Sequence, residues 1–260
     1  MVLNELMEHS PIRTFMNSIN GGLIPGELGL VASPSGIGKT SVLVQIALDK
    51  LLQGKKVIHV SFTQHTDYIL AWYEEIFDEF FRKKKLDNEQ DVKSDVIRNR
   101  VLMRFAQEGF TIEQILKSLK AMINEGGFKA DQIIVDGLDF YAEDGERIAL
   151  VKTFAAEMGV SVWYSCTVKG EKPFYDKQNI PLVVKEYADL FSVVVILDPK
   201  PAHIALTVSK ARDRFNPVSP AEARTGRGSP PVSPAEARTG RGSPPEQMAL
   251  KLDPKTLLIM

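Results

Sequence analysis

One cysteine, Cys166, is all that 260 residues contain. No internal disulfide can form, and a reducing compartment is expected. Its place in the strand-like run 160–168 reads as a small buried hydrophobe rather than a reactive thiol. The chain also lacks any run of about eighteen apolar residues, so no membrane span is expected, and its first eight residues carry acids where a secretory leader carries bases. A cytoplasmic protein without membrane contact follows as the expectation. Charge of one sign is missing too: 32 basic residues face 33 acidic ones, a net of −1. No global field therefore points to nucleic acid or an anionic surface, and only a local basic patch stays open. Hydrophobic residues make up 44% of the chain, enough for a globular α/β unit of generous size or two small ones.

What is present is a phosphate-binding loop. Ser33-Pro-Ser-Gly-Ile-Gly-Lys-Thr-Ser41 stands between an apolar run, 28–32, and a helical pattern carried by Val42, Leu43, Ile46 and Ala47. Glycines at 36 and 38 let consecutive backbone N–H groups point inward at a phosphate, and the helix opening near Lys39 adds its positive dipole end. The binding segment is Ser35, Gly36, Ile37, Gly38, Lys39, Thr40 and Ser41. Lys39 reaches the β- and γ-phosphates of ATP, and the Thr40 hydroxyl ligates Mg²⁺. The consensus has Gly at position 33 and this chain has Ser, a change compatible with a strand end because no positive φ is needed there. An ordinary strand-to-helix turn is the alternative. A second Mg²⁺ partner should be an acid ending a neighbouring apolar strand, and Ile133-Ile-Val-Asp136 has that form. The alternative is that Asp136 only opens the turn 136–139, and Asp139 is a weaker candidate.

Apolar periodicity alternates along the chain. Strand-like runs at 56–62, 100–105, 131–136 and 160–168 are separated by helical patterns at 66–85, 89–98, 111–124 and 146–158. This predicts a mainly parallel twisted sheet flanked by helices. Runs 191–197 and 203–209 have only five residues between them, which fits a hairpin, and 248–252 with 256–260 predict a further pair. Antiparallel strands thus extend the C-terminal end. Residues 217–230 recur verbatim as 231–244, a Pro/Gly/Ser/Arg-rich unit too poor in apolar side chains to offset chain entropy. A disordered loop over 217–245, inserted before the last strands, is expected. Its arginines Arg224, Arg227, Arg238 and Arg241 either touch phosphates or belong to a tolerated surface duplication, and the Glu in each copy favours the latter.

The lead-in Asn20-Gly-Gly-Leu-Ile-Pro-Gly-Glu-Leu28, the loop, Val135-Asp136, and Ser209-Lys-Ala-Arg212 together resemble the RecA superfamily, in particular its KaiC-like and DnaB-helicase-like branch. The resemblance implies one RecA-like ATP-binding domain over residues 1–260, assembled as a ring or filament with ATP between neighbouring subunits. Lys39, Thr40 and Asp136 match the resident site. Lys210 and Arg212 match a Lys-x-Arg pair that reaches into the neighbour's site and acts as an arginine finger does. Thr167 falls where the branch keeps a polar γ-phosphate sensor. One departure stands out: the strand after the loop helix ends Ser61-Phe62-Thr63-Gln64-His65, where the branch carries a water-polarising glutamate. Gln64 can orient a water, and His65 and Asp67 lie close in sequence, but none replaces the base like for like. Slow or absent hydrolysis with retained ATP and Mg²⁺ binding is the expectation, the nucleotide controlling self-assembly or a protein partner. The alternative is a DNA-acting ATPase of helicase or recombinase type, with nucleic acid as partner. The aromatic helix 66–85, with Trp72, Phe77, Phe80 and Phe81, reads as core or as a partner surface.

Overall fold

The computed structural model describes residues 11–84, 89–106, 109–170, 172, 174–211, 250–253, 255 and 258–260. The repeat and Arg212 lie outside them. An eight-stranded sheet has the order β3-β2-β4-β5-β1-β6-β7-β8. Helix α1 (Pro11–Ser18) leads into β1 (Leu28–Ser33), and α2 (Lys39–Leu52) into β2 (Val57–Ser61). Then follow α3 (Thr66–Lys84), α4 (Glu89–Arg98), β3 (Arg100–Arg104), α5 (Ile112–Asn124) and β4 (Gln132–Asp136). Helix α6 (Gly145–Met158), β5 (Ser161–Thr167), a 3₁₀ segment (Leu182–Leu190), β6 (Phe191–Pro199), β7 (Ile204–Lys210) and β8 (Leu250–Leu252) complete the order. Strands β1 to β6 run parallel, and β7 and β8 are antiparallel additions. The sheet is therefore the mainly parallel one that the alternation predicts, consistent with a RecA-like core.

Central strands are buried on both faces, as crossover helices on the two sides require. One layer packs α1, α2 and α3 against the sheet through Phe15, Leu43, Ile46, Tyr73 and Ile76. The other packs α5, α6 and the 3₁₀ segment through Ile115, Leu119, Ile148, Phe154 and Val184. Gly29 on β1 marks a close approach: a Cβ there would lie 2.6 Å from the Trp163 ring of β5. The lead-in has a structural reason as well. Gly26 adopts φ 83° and donates its N–H to the Val160 carbonyl, and buried Glu27 accepts from the Ile24 N–H at 3.0 Å. These contacts fasten the start of β1 to β5.

Two elements go beyond the sequence reading, α1 and the 3₁₀ segment. At the far end the described residues of the expected last strand, 258–260, lie antiparallel to 251–253: the Asp253 N–H donates to the Leu258 carbonyl at 2.9 Å and the Met260 N–H to the Lys251 carbonyl at 2.7 Å, while the Ile259 N–H donates to Gln45 Oε1 on α2 at 2.9 Å. Among the described residues no helix is long and apolar enough to cross a membrane.

Candidate functional site

Parallel strands put their carboxyl ends on one edge of the sheet, where α/β folds bind ligands. Register aligns Ser33 with Thr167 and Ser61 with Asp136 along that edge. A cavity of about 420 Å³ opens there, walled by the phosphate loop, Thr63 and Gln64 after β2, Asp136 to Asp139 after β4, and Ser165, Thr167 and Lys169 of and after β5. Trp72 of α3 closes one side.

The loop is built for an anion. Gly36 and Gly38 take φ of 79° and 104°, and nothing stands within 4 Å of a Cβ placed at Gly36, so backbone conformation alone demands glycine there. Gly38 caps α2 without any side-chain hydrogen bond, leaving the helix's first-turn amides to another acceptor. Ile37 turns its side chain toward the core. The Lys39 ammonium is buried, donating to the Pro34 carbonyl at 2.8 Å, the Ser33 carbonyl at 3.1 Å and Ser33 Oγ at 3.3 Å. Burial pushes its pKa below that of a free lysine, against the attraction of Asp136. Ser33, the departure from the motif, is thus one of the groups that hold Lys39.

Asp136 is the hub. It is buried, and its Oδ2 accepts from Thr40 Oγ1 at 2.8 Å while Oδ1 accepts from Ser165 Oγ at 2.6 Å. Ser165 Oγ in turn accepts from the Gly137 N–H at 2.8 Å. Gly137 has φ 83°, and a Cβ on it would lie 2.4 Å from Thr63 Oγ1, so this turn admits no larger residue without displacing the end of β2. Thr40 and Asp136 offer two oxygen donors side by side, a donor set that fits a hard cation keeping most of its waters. No cluster of three or more His, Cys, Asp or Glu stands among the described residues, so no denser metal site competes.

The β2 side is different. Gln64 is fixed by a reciprocal pair, its N–H donating to Ser61 Oγ at 3.1 Å and its carbonyl accepting from that hydroxyl at 3.0 Å. Its side-chain Oε1 is buried against the cavity and has no hydrogen-bond partner among the described residues. His65 and Asp67 pair with each other at 3.1 Å on the surface and do not line the cavity. Lys210 also lies elsewhere, donating to the Ala188 carbonyl at 2.9 Å and to Asp189 Oδ1 at 3.2 Å. Asp139 does line the cavity, bound not to Thr40 but to Lys169. Cys166 is buried, its thiol pushed up to about 12 by desolvation.

Three cavity residues carry no signal in the sequence reading. Ser165 is one of several hydroxyl residues in β5, with Ser161 and Thr167, Trp72 one aromatic among several on its helix, and Lys169 one of many lysines.

A segment of 45 residues is 47% identical to the DNA repair protein RadA of Aquifex aeolicus (strain VF5). It covers 17% of this chain and 10% of that protein, so the match spans about a tenth of the relative's length. No protein-family model matches the chain. The partial likeness and the mixed, mostly parallel sheet together support a RecA-like phosphate-loop ATPase in general terms.

Proposed function

We propose that the chain binds ATP with Mg²⁺ in this cavity and hydrolyses it slowly or not at all, the nucleotide governing self-assembly or the engagement of a protein partner. The observation that carries the reading is Lys39: a buried ammonium whose hydrogen bonds among the described residues go to neutral oxygens, beside the Thr40–Asp136 pair and a helix start without a side-chain cap. Neutral oxygens and the attraction of Asp136 leave its desolvation only partly repaid, as the lowered pKa records, and a triphosphate supplies the further negative charge. Thr40 and Asp136 would hold the Mg²⁺, which when bound neutralises phosphate charge. Trp72, the one aromatic residue of the lining among the described residues, offers a flat face to the base.

On the β2 side Thr63 and Gln64 cannot take a proton from water at neutral pH. The free Gln64 Oε1 can accept a hydrogen bond from a water and so orient it. Loss of a general base costs roughly 10²–10⁴ in rate. Lys210 is turned away from its own chain's cavity, which supports a role for Lys210, with Arg212, at a neighbouring subunit of a ring or filament.

Titration calorimetry with Mg-ATP tests the site. The wild-type protein should bind, and Lys39→Ala should weaken binding on the order of a hundredfold, since a charge-assisted contact to phosphate is lost. Equal affinity of the two proteins would contradict the assignment. The likeness to a DNA repair protein favours one second reading, a DNA-acting ATPase. Its mark would be ATP turnover stimulated by single-stranded DNA.

A further inference from the structure

We infer that Lys169 reads the γ-phosphate within its own subunit, leaving Asp139 for the phosphate when a triphosphate enters. The inference rests on the nucleotide reading above.

Among the described residues two lysines line the cavity, Lys39 and Lys169. Lys39 grows from the phosphate loop, whereas Lys169 stands two residues beyond β5, on the wall formed with the turn after β4. Its ammonium donates to Asp139 Oδ2 at 3.0 Å and sits 5.3 Å from the centre of the Tyr141 ring. The backbone beneath it is held separately. The Lys169 N–H donates to the Tyr141 hydroxyl at 2.8 Å, and that hydroxyl donates to the Lys169 carbonyl at 3.0 Å.

The residue therefore combines a fixed backbone with a movable head. The side chains of Lys169 and Asp139 are 54% and 32% exposed, and an ion pair so open to solvent is weak and easily exchanged. A phosphate bearing several negative charges is the stronger partner for the ammonium. Asp139 then acts as a placeholder that keeps the lysine at the cavity wall. Because β4 and β5 are adjacent and parallel, the Asp139 turn and the Lys169 turn leave the same edge beside Asp136, so the exchange is a change of partner rather than a large displacement. On this inference a diphosphate, lacking the γ-phosphate, leaves the Lys169–Asp139 pair in place.

The test is calorimetry of Mg-ATP and Mg-ADP on the full chain, comparing wild type with Lys169→Met, Lys169→Arg and Asp139→Asn. Lys169→Met should lose about tenfold in ATP affinity and less than twofold in ADP affinity. Lys169→Arg should restore most of the ATP preference, and Asp139→Asn, by freeing the lysine, should raise ATP affinity severalfold without changing that for ADP. Equal losses for both nucleotides in Lys169→Met, or no loss for either, would overturn the inference while leaving the nucleotide site standing. A wild-type protein that binds neither nucleotide would overturn both. Thermal melting checks that the surface substitutions leave the fold intact.

Discussion

Two walls of one cavity differ in almost every respect. On the phosphate side, Lys39, Thr40, Asp136 and Ser165 are buried or half-buried and charged or hydroxylated; short hydrogen bonds join Thr40, Asp136 and Ser165, and others hold Lys39 to Ser33 and Pro34, before any ligand arrives. On the β2 side, Thr63 and Gln64 bring no charge, and the one polar atom buried against the cavity, Gln64 Oε1, has no partner among the described residues. Binding and chemistry draw on different walls, because holding phosphate needs fixed donors whereas activating water needs a base. A molecule can keep the first wall and let the second go, and that is the outcome we propose for this chain.

The contrast can be attacked where the β2 side stays neutral. His59 on β2 is buried beside Tyr73, its Nδ1 3.1 Å from the Tyr73 hydroxyl, and desolvation lowers its pKa to about 4. The unfolded chain takes up that proton near 6.5, the folded one only near 4, so the stabilisation is complete above 6.5 and is lost as pH falls through that window. About 3 kcal/mol should disappear between pH 7 and 4 from this group. Urea unfolding across that range measures it. His59→Phe should flatten the dependence, and an unchanged slope in the variant would show that His59 does not carry it.

A smaller effect sharpens the phosphate side. Ser165→Ala removes the donor to Asp136 Oδ1 and leaves the Gly137 N–H without its acceptor, which should weaken ATP binding in the presence of Mg²⁺ by about tenfold. Binding in EDTA should change little, because Lys39 and the loop amides are untouched. A loss of the same size in EDTA would mean that Ser165 supports the fold rather than the metal-facing carboxylate.

The loop was the most legible part of the site because its residues are consecutive: strand, glycines, lysine and helix all announce themselves within about fifteen positions. Asp136 was legible from the apolar run before it. Ser165 was not, since its role depends on β5 lying beside β4, and alternation of strands and helices predicts a parallel sheet without giving strand order. Lys169 and Asp139 meet only because those two strands are neighbours. Helix α1 escaped notice for a local reason. It is eight residues long, with no acid in its first turn and no base in its last, so neither length nor charge marks it. The last strands were only half legible: β8 is three residues long, and residues 258–260 pair with 251–253 through two backbone hydrogen bonds and gain a third contact from Gln45. The expected loop over 217–245 and Arg212 lie outside the described residues.

The central claim is that the phosphate wall works while the water-activating wall does not. A single-turnover assay, with protein in excess over Mg-ATP, tests both in one sample. Nearly all the ATP should be bound, and phosphate release should run at roughly 0.001–0.1 per second, about 10²–10⁴ below an ordinary enzyme. Thr63→Glu should raise that rate without changing the fraction bound. Release by the wild type at about 10 per second, unaltered by Thr63→Glu, would contradict the account.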